Sequence, residues 1–169
     1  SQRNKGAAFE RWVAKELTEE LGLSTPLRRN LEQYQTANCS DILLPPFQIE
    51  CKRYASNGAG TWYKDNWWAQ VCSAIEEDYM PCLVYKYDRH PVRWVFPIVA
   101  VNEYWGCTES RYEPVALTWS GGLMLIAEWL DDESLYLTSN SMKGLTPWHE
   151  AYKLKPCRLE ISCGDSKRA

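Results

Sequence analysis

The stretch Ser40-Asp41-Ile42-Leu43-Leu44-Pro45-Pro46-Phe47-Gln48-Ile49-Glu50-Cys51-Lys52-Arg53-Tyr54 contains two apolar-rich runs divided by a pair of prolines. Asp41–Leu44 and Gln48–Tyr54 read as strands joined at Pro45-Pro46, a β-hairpin. Two prolines cannot occupy a two-residue primed turn, whose central residues need positive φ, so the expected connection is a four-residue loop, Leu44 to Phe47. That register sets Asp41 opposite Glu50, with β-carbons roughly 4.5–5.5 Å apart on one face. Strand alternation then puts Glu50 and Lys52 on the same face, while Ile49, Cys51 and Arg53 point to the other.

Two carboxylates so placed repel, and one tends to stay protonated unless a cation or Lys52 compensates. A divalent cation held by carboxylates, with a positive group near the attacked phosphate, is what phosphodiester hydrolysis requires. One Mg²⁺ bridging Asp41 and Glu50 at about 2.0–2.1 Å meets that need. Taken alone, the D-x8-E-x-K pattern is also what an ordinary cross-strand cluster of surface charges looks like. The adjoining run Ile42-Leu43-Leu44 suits a buried strand, where charges at the flanks need a reason.

Upstream, Phe9, Val13, Leu17 and Leu21 recur every four positions with Trp12 beside them, marking one face of a helix from about Lys5 to Leu21. Asn4 is its expected cap and Gly22 its expected end. Pro26 to Leu31 is a candidate strand carrying Arg28 and Arg29, and Gln33 to Ser40 reads as a polar loop. Downstream, Ser56 to Gly60 is the most flexible-looking stretch. Tyr63 to Tyr79 is an expected helix with Trp68, Cys72 and Ile75 on its buried side. Strands follow at Cys82–Tyr87 and Val92–Phe96, separated by the turn Asp88-Arg89-His90-Pro91. The order, αβββαββ, predicts an α/β fold with a central mixed β-sheet flanked by helices. Past Pro97 come a short helix near Ile98–Trp105, a strand near Val115–Trp119, an apolar segment Leu123–Leu130 and a basic tail. The expectation is a single domain over 1–169, with its core at about 4–97 and a C-terminal extension over 98–169.

Composition is that of a globular protein: 169 residues, 45% hydrophobic and 24% charged, enough to bury a core without metal or disulfide staples. No run of residues suits a membrane helix. The seven cysteines lack a C-x-x-C pair and read as reduced, mostly buried thiols. The net charge of −3 does not advertise nucleic-acid binding, but it is unevenly spread. Residues 1–55 carry 8 Lys/Arg against 7 Asp/Glu, and residues 56–152 carry 6 against 13. A local basic face is compatible with that distribution. His90 and His149 are too few and too isolated for a triad, and Gly58-Ala59-Gly60 lacks the ending of a phosphate-cradling loop. Most aromatic residues read as core; base stacking is the alternative for the exposed-looking group Trp62, Tyr63 and Trp67, for which core is again the favoured reading.

Lys5-Gly6-Ala7-Ala8-Phe9-Glu10-Arg11 resembles the opening helix motif of the archaeal-type Holliday junction resolvases, and Ser40-Asp41 with Glu50-Cys51-Lys52 resembles their catalytic hairpin. That family belongs to the restriction-endonuclease-like, or PD-(D/E)xK, superfamily. The resemblance spans roughly residues 4–97 and implies an Mg²⁺-dependent endonuclease, with Mn²⁺ able to substitute. It implies Asp41 and Glu50 as metal ligands helped by the Cys51 backbone carbonyl, Glu10 as a further acid near the metal, and Lys52 as the group that orients water and stabilises phosphate charge. Gln70 matches a glutamine on the family's second helix. Lys5, Arg28, Arg29 and Arg53 are the candidate DNA contacts. Branched DNA such as a four-way junction, a homodimer, and a cytoplasmic, nucleoid-associated or viral setting complete the expectation. A restriction, repair or end-processing nuclease of the superfamily is a further reading, as is a non-catalytic nucleic-acid-binding protein of the same fold. Position 40 is Ser where the superfamily's name anticipates Pro.

Overall fold

In the computed structural model, residues 2–30, 40–56, 62–76, 79–101 and 113–131 are described. The expected polar loop before Ser40, most of the glycine-containing stretch after Ser56, the basic tail, His149 and the cysteines at 39, 107, 157 and 163 lie outside them.

Helix α1 runs over Gln2–Glu20, so Asn4 lies inside it and is not its cap. Phe9, Val13 and Leu17 are buried along one face, as their spacing requires. Gly22 ends the helix with φ +61°, a left-handed conformation that costs glycine nothing. There Leu23 N–H donates to Thr18 O at 3.0 Å and Gly22 N–H to Glu19 O at 3.2 Å, the paired closure of a Schellman motif.

No strand forms over 26–30, contrary to the sequence expectation. Leu27 N–H is taken by the Thr18 side chain at 2.9 Å, Pro26 has no N–H to give, and Asn30 N–H donates to Asp41 O at 2.7 Å. A single backbone bond does not make a ladder.

Strands β1 (Ile42–Leu44) and β2 (Phe47–Tyr54) form the expected antiparallel hairpin, pairing Ile42 with Ile49, Leu43 with Gln48 and Leu44 with Phe47. Leu44 and Phe47 therefore belong to the ladder, and the connection is two residues, not the four expected. The Pro45-Pro46 peptide is cis, a tight reversal outside the primed-turn geometries considered from sequence. The register nevertheless agrees with the sequence reading and carries Asp41 to the level of Glu50.

Helix α2 (Asp65–Ser73) carries the chain from β2 to β3 (Met80–Tyr87), which lies parallel to β2. It is shorter than the expected Tyr63–Tyr79. Its exit is captured by the buried Gln48, whose Oε1 accepts from Glu76 N–H at 2.8 Å, so that donor leaves the helical ladder. Ile75, past the helix end, is only partly buried.

Strands β4 (Arg93–Pro97) and β5 (Pro114–Thr118) extend the sheet in antiparallel fashion to give the order β1-β2-β3-β4-β5. The short α3 (Ile98–Val101) lies between them and α4 (Trp119–Asp131) follows β5. The observed succession is thus αββαββαβα, without the strand expected at 26–31.

Two apolar layers sandwich this sheet. On one face α1 and α4 pack Phe9, Val13, Leu17, Ile126 and Trp129 against Ile49, Cys82, Val84 and Phe96. Gly122 permits the close approach of α4, because a β-carbon there would sit 2.1 Å from Trp94 Cδ1. On the other face α2 packs Trp67, Trp68, Val71 and Cys72 against Leu83, Tyr85, Tyr87 and Val95. Of the exposed-looking group, Tyr63 and Trp67 belong to the core at 8% and 4% accessibility, whereas Trp62 is 59% exposed.

Candidate active site

The hairpin and α1 bring three acids toward one another. Asp41 sits at the mouth of β1 and is only 5% accessible; Glu10, on the α1 face that also carries Val13 and Leu17, is 9% accessible. Glu50 and Lys52 follow on β2, both partly buried. Cys51 N–H donates to Asp41 Oδ2 at 2.7 Å, so the strand bearing Glu50 and Lys52 also fixes the Asp41 carboxylate.

Two of the acids have cationic partners. Lys52 Nζ donates to Glu50 Oε1 at 2.7 Å, and Arg29 Nε donates to Glu10 Oε2. Asp41 has no ion pair of its own among the described residues. Burial, reinforced by the charges of Glu50 and Glu10, raises its pKa from the ordinary 3.8 to about 7, against the opposing pull of the Cys51 N–H and Lys52. For Lys52 burial disfavours the charge, but Glu50, through charge and hydrogen bond, with Asp41 and Tyr54, outweighs it and raises the pKa above its usual value. The amine is therefore held as ammonium. Burial, followed by the charges of Asp41, Glu50 and Glu10, pushes the Cys51 thiol well up, so it stays protonated and unreactive.

Three carboxyl groups against two cations leave the most enclosed acid uncompensated, and without a further cation it holds its proton up to about pH 7. The buried Ser40 Oγ next to it in sequence has no hydrogen-bond partner among the described residues. Oxygen donors with unspent negative charge fit a hard divalent cation. Among the described residues no three side chains converge closely enough to enclose a metal as they stand. Glu10 Oε2 is engaged with Arg29 and Glu50 Oε1 with Lys52.

The other expected residues are distributed around this centre. Arg28 is exposed on the segment after α1. Arg29 turns inward to Glu10, so its expected place as a DNA contact is taken by an ion pair. Lys5 and Arg53 converge on Asp88, at 2.9 Å from Lys5 Nζ to Oδ2 and 3.2 Å from Arg53 Nη2 to Oδ1. The Lys5 hydrogen bond leads the lowering of the Asp88 pKa. Gln70 is exposed on α2, and no contact among the described residues ties its side chain to Asp41, Glu50 or Lys52. Sequence reasoning missed Gln48 and Asp88. The first had a signal, since it shares the alternating face of Glu50 and Lys52; the second is a turn residue whose partners lie far off in sequence.

The family described as "Phage putative PDDEXK endonuclease" has a model that matches residues 1–121. The chain belongs to this family. Membership makes it a nuclease of the PD-(D/E)xK superfamily, with DNA the implied substrate, and such PDDEXK enzymes generally use divalent metal ions. The matched span takes in α1, the hairpin, α2 and the whole five-stranded sheet. No curated protein and no solved structure matches the chain. Among the described residues no helix is long and apolar enough to cross a membrane.

Proposed function

We propose that this PDDEXK protein is an Mg²⁺-dependent, structure-selective DNA endonuclease that cleaves branched DNA in the manner of a Holliday junction resolvase, with Mn²⁺ able to replace Mg²⁺. The observation that carries the reading is the buried Asp41 carboxylate, raised to about 7 beside Glu50 and Glu10 and flanked by a charged Lys52. Asp41, Glu50 and the Cys51 carbonyl would hold the cation, with Glu10 close by. A bound divalent cation supplies Lewis-acid stabilisation of charge on the phosphate. Lys52, freed from Glu50, places an ammonium against the developing negative charge and orients the attacking water. Arg28 and, beyond the ion pairs they now make, Lys5, Arg29 and Arg53 offer positive charge to the DNA backbone. Gln70 is assigned a supporting polar contact from α2.

The preference for branched DNA rests on the likeness of Lys5–Arg11 and of the hairpin to the resolvases. Cutting both strands of a junction needs two sites related by two-fold symmetry, so the working unit is a homodimer. Trp94, Phe96 and Trp129 are spent on the chain's own core and do not bear on that interface.

Cleavage of labelled four-way junction, flap, linear duplex and single strand, with and without Mg²⁺, tests the reading, combined with light scattering of the protein. Metal-dependent cutting of the junction by a dimer is expected. Cutting confined to linear duplex or to ends by a monomer returns the protein to the restriction or end-processing class. No cutting of any substrate leaves a non-catalytic DNA-binding protein.

A further inference from the structure

The C-terminal half of β2 leads from the acidic centre to an aromatic surface that the chemistry above does not use. Tyr54 follows Lys52 by two residues on the same face of the strand, ~6–7 Å away. Its ring stacks on Trp67, centroids 4.8 Å apart, yet stays 38% accessible. Lys64 Nζ lies 5.2 Å from the centroid of Tyr54 and 5.6 Å from that of Trp67, a cation held over aromatic faces. Trp67 stacks in turn on Tyr87 at 5.9 Å, and Tyr87 ties this cluster to Trp62, the most exposed aromatic ring among the described residues. Its backbone is pinned, because Tyr87 Oη donates to Trp62 O at 3.1 Å. Its ring leans on Tyr63, which meets Tyr85 edge-on at 5.9 Å, and Tyr85 is the register partner of Lys52. Trp62 thus presents an exposed indole on a fixed backbone, linked through Tyr63 and Tyr85 to the strand position beside Lys52.

We propose that Trp62 and Tyr54, with Lys64, form a stacking platform for an unpaired DNA base flanking the phosphate held at Lys52. The inference rests on the nuclease reading for the position of that phosphate. A duplex keeps its bases stacked within the helix and, apart from its two end pairs, offers no π-face to Trp62, whereas a single strand or an opened branch point does. Lys64 supplies charge to the adjoining backbone. The platform therefore favours DNA with at least one unpaired nucleotide next to the cut.

The test is binding of fluorescently labelled single-stranded DNA and of blunt duplex of equal length, by anisotropy, with the full chain in chelator so that nothing is cut. Trp62→Ala is expected to weaken single-strand binding roughly tenfold and leave blunt duplex unchanged, since one base–aromatic stack is lost. Trp62→Phe retains most of the affinity. Tyr54→Leu gives a selective loss in the same direction. One abasic position in the strand reproduces the loss for wild type and adds nothing to it in Trp62→Ala. Equal losses on both DNAs, or none on the single strand, overturn the platform. Cleavage by wild type in Mg²⁺, run in parallel, separates the two ideas. Absent cleavage with Trp62-dependent binding intact overturns only the catalytic reading, and intact cleavage with Trp62-independent binding overturns only the platform.

Discussion

The Cys51 backbone N–H donates to Asp41 Oδ2 at 2.7 Å, so the residue between Glu50 and Lys52 holds the carboxylate that faces them. The hairpin thus positions all three groups through one strand, and a perturbation at any of them is felt by the others.

Lys52→Ala is expected to lower single-turnover cleavage at least about 10²-fold, the scale on which one electrostatic donor to a transition state acts. DNA affinity should change little, since Lys52 gives one charge among several. Rates and binding isotherms on the same substrate check this. Cleavage at the wild-type rate would remove Lys52 from the chemistry.

Asp41 makes the metal-free protein sensitive to pH. Its folded pKa of about 7 lies above its ordinary 3.8, so between those values the folded state keeps a proton that the unfolded chain has released. Unfolding free energy therefore falls as pH rises through that window and levels off above about 7, by up to a few kcal/mol. Asp41→Asn should remove this slope, stabilise the metal-free protein at neutral pH and abolish the heat of Mg²⁺ binding. Urea melts from pH 4 to 8 in chelator, with calorimetric titration of Mg²⁺, measure all three. Parallel stability curves for the two proteins would show that Asp41 is not the proton carrier.

Arg29→Ala strands the Glu10 carboxylate in a partly buried setting beside Asp41. Breaking such a pair from one side costs roughly 3 kcal/mol. The double variant Arg29→Ala with Glu10→Gln should recover much of it. Denaturant melts of the two decide between a structural and a purely DNA-binding Arg29, because an exposed phosphate contact would leave stability unchanged.

Asp88 now neutralises part of the charge of Lys5 and Arg53. Asp88→Asn is expected to tighten duplex binding several-fold at low salt and to steepen its salt dependence. A salt series for both proteins checks it. Unaltered binding would mean that Lys5 and Arg53 face away from the DNA.

The acidic centre could be read from the sequence because a hairpin register is a local property. Alternation and the position of the prolines are enough to put Asp41 level with Glu50, although the reversal itself uses a cis Pro45-Pro46 bond and two loop residues where four were expected. The ion pairs were hidden for the opposite reason. Asp88 meets residues 35 and 83 positions away, and Arg29 looks like any surface arginine until the chain after Gly22 folds back along α1. The strand expected at 26–31 failed because Thr18, on the neighbouring helix, takes the Leu27 N–H. Tyr63 and Trp67 are core, the favoured reading, but which aromatic of the group stays exposed depends on how α2 packs over β3, a contact between distant segments.

The pairing of Leu44 with Phe47 leaves the hairpin no slack. A slip of β1 by one position against β2, with the β2 to β3 pairing kept, would turn Asp41 toward the apolar layer beneath α1. Many surface hairpins serve only to reverse the chain; the tip of this one, where Met80 N–H donates to Pro46 O at 2.7 Å, also sets the reading frame of the carboxylates.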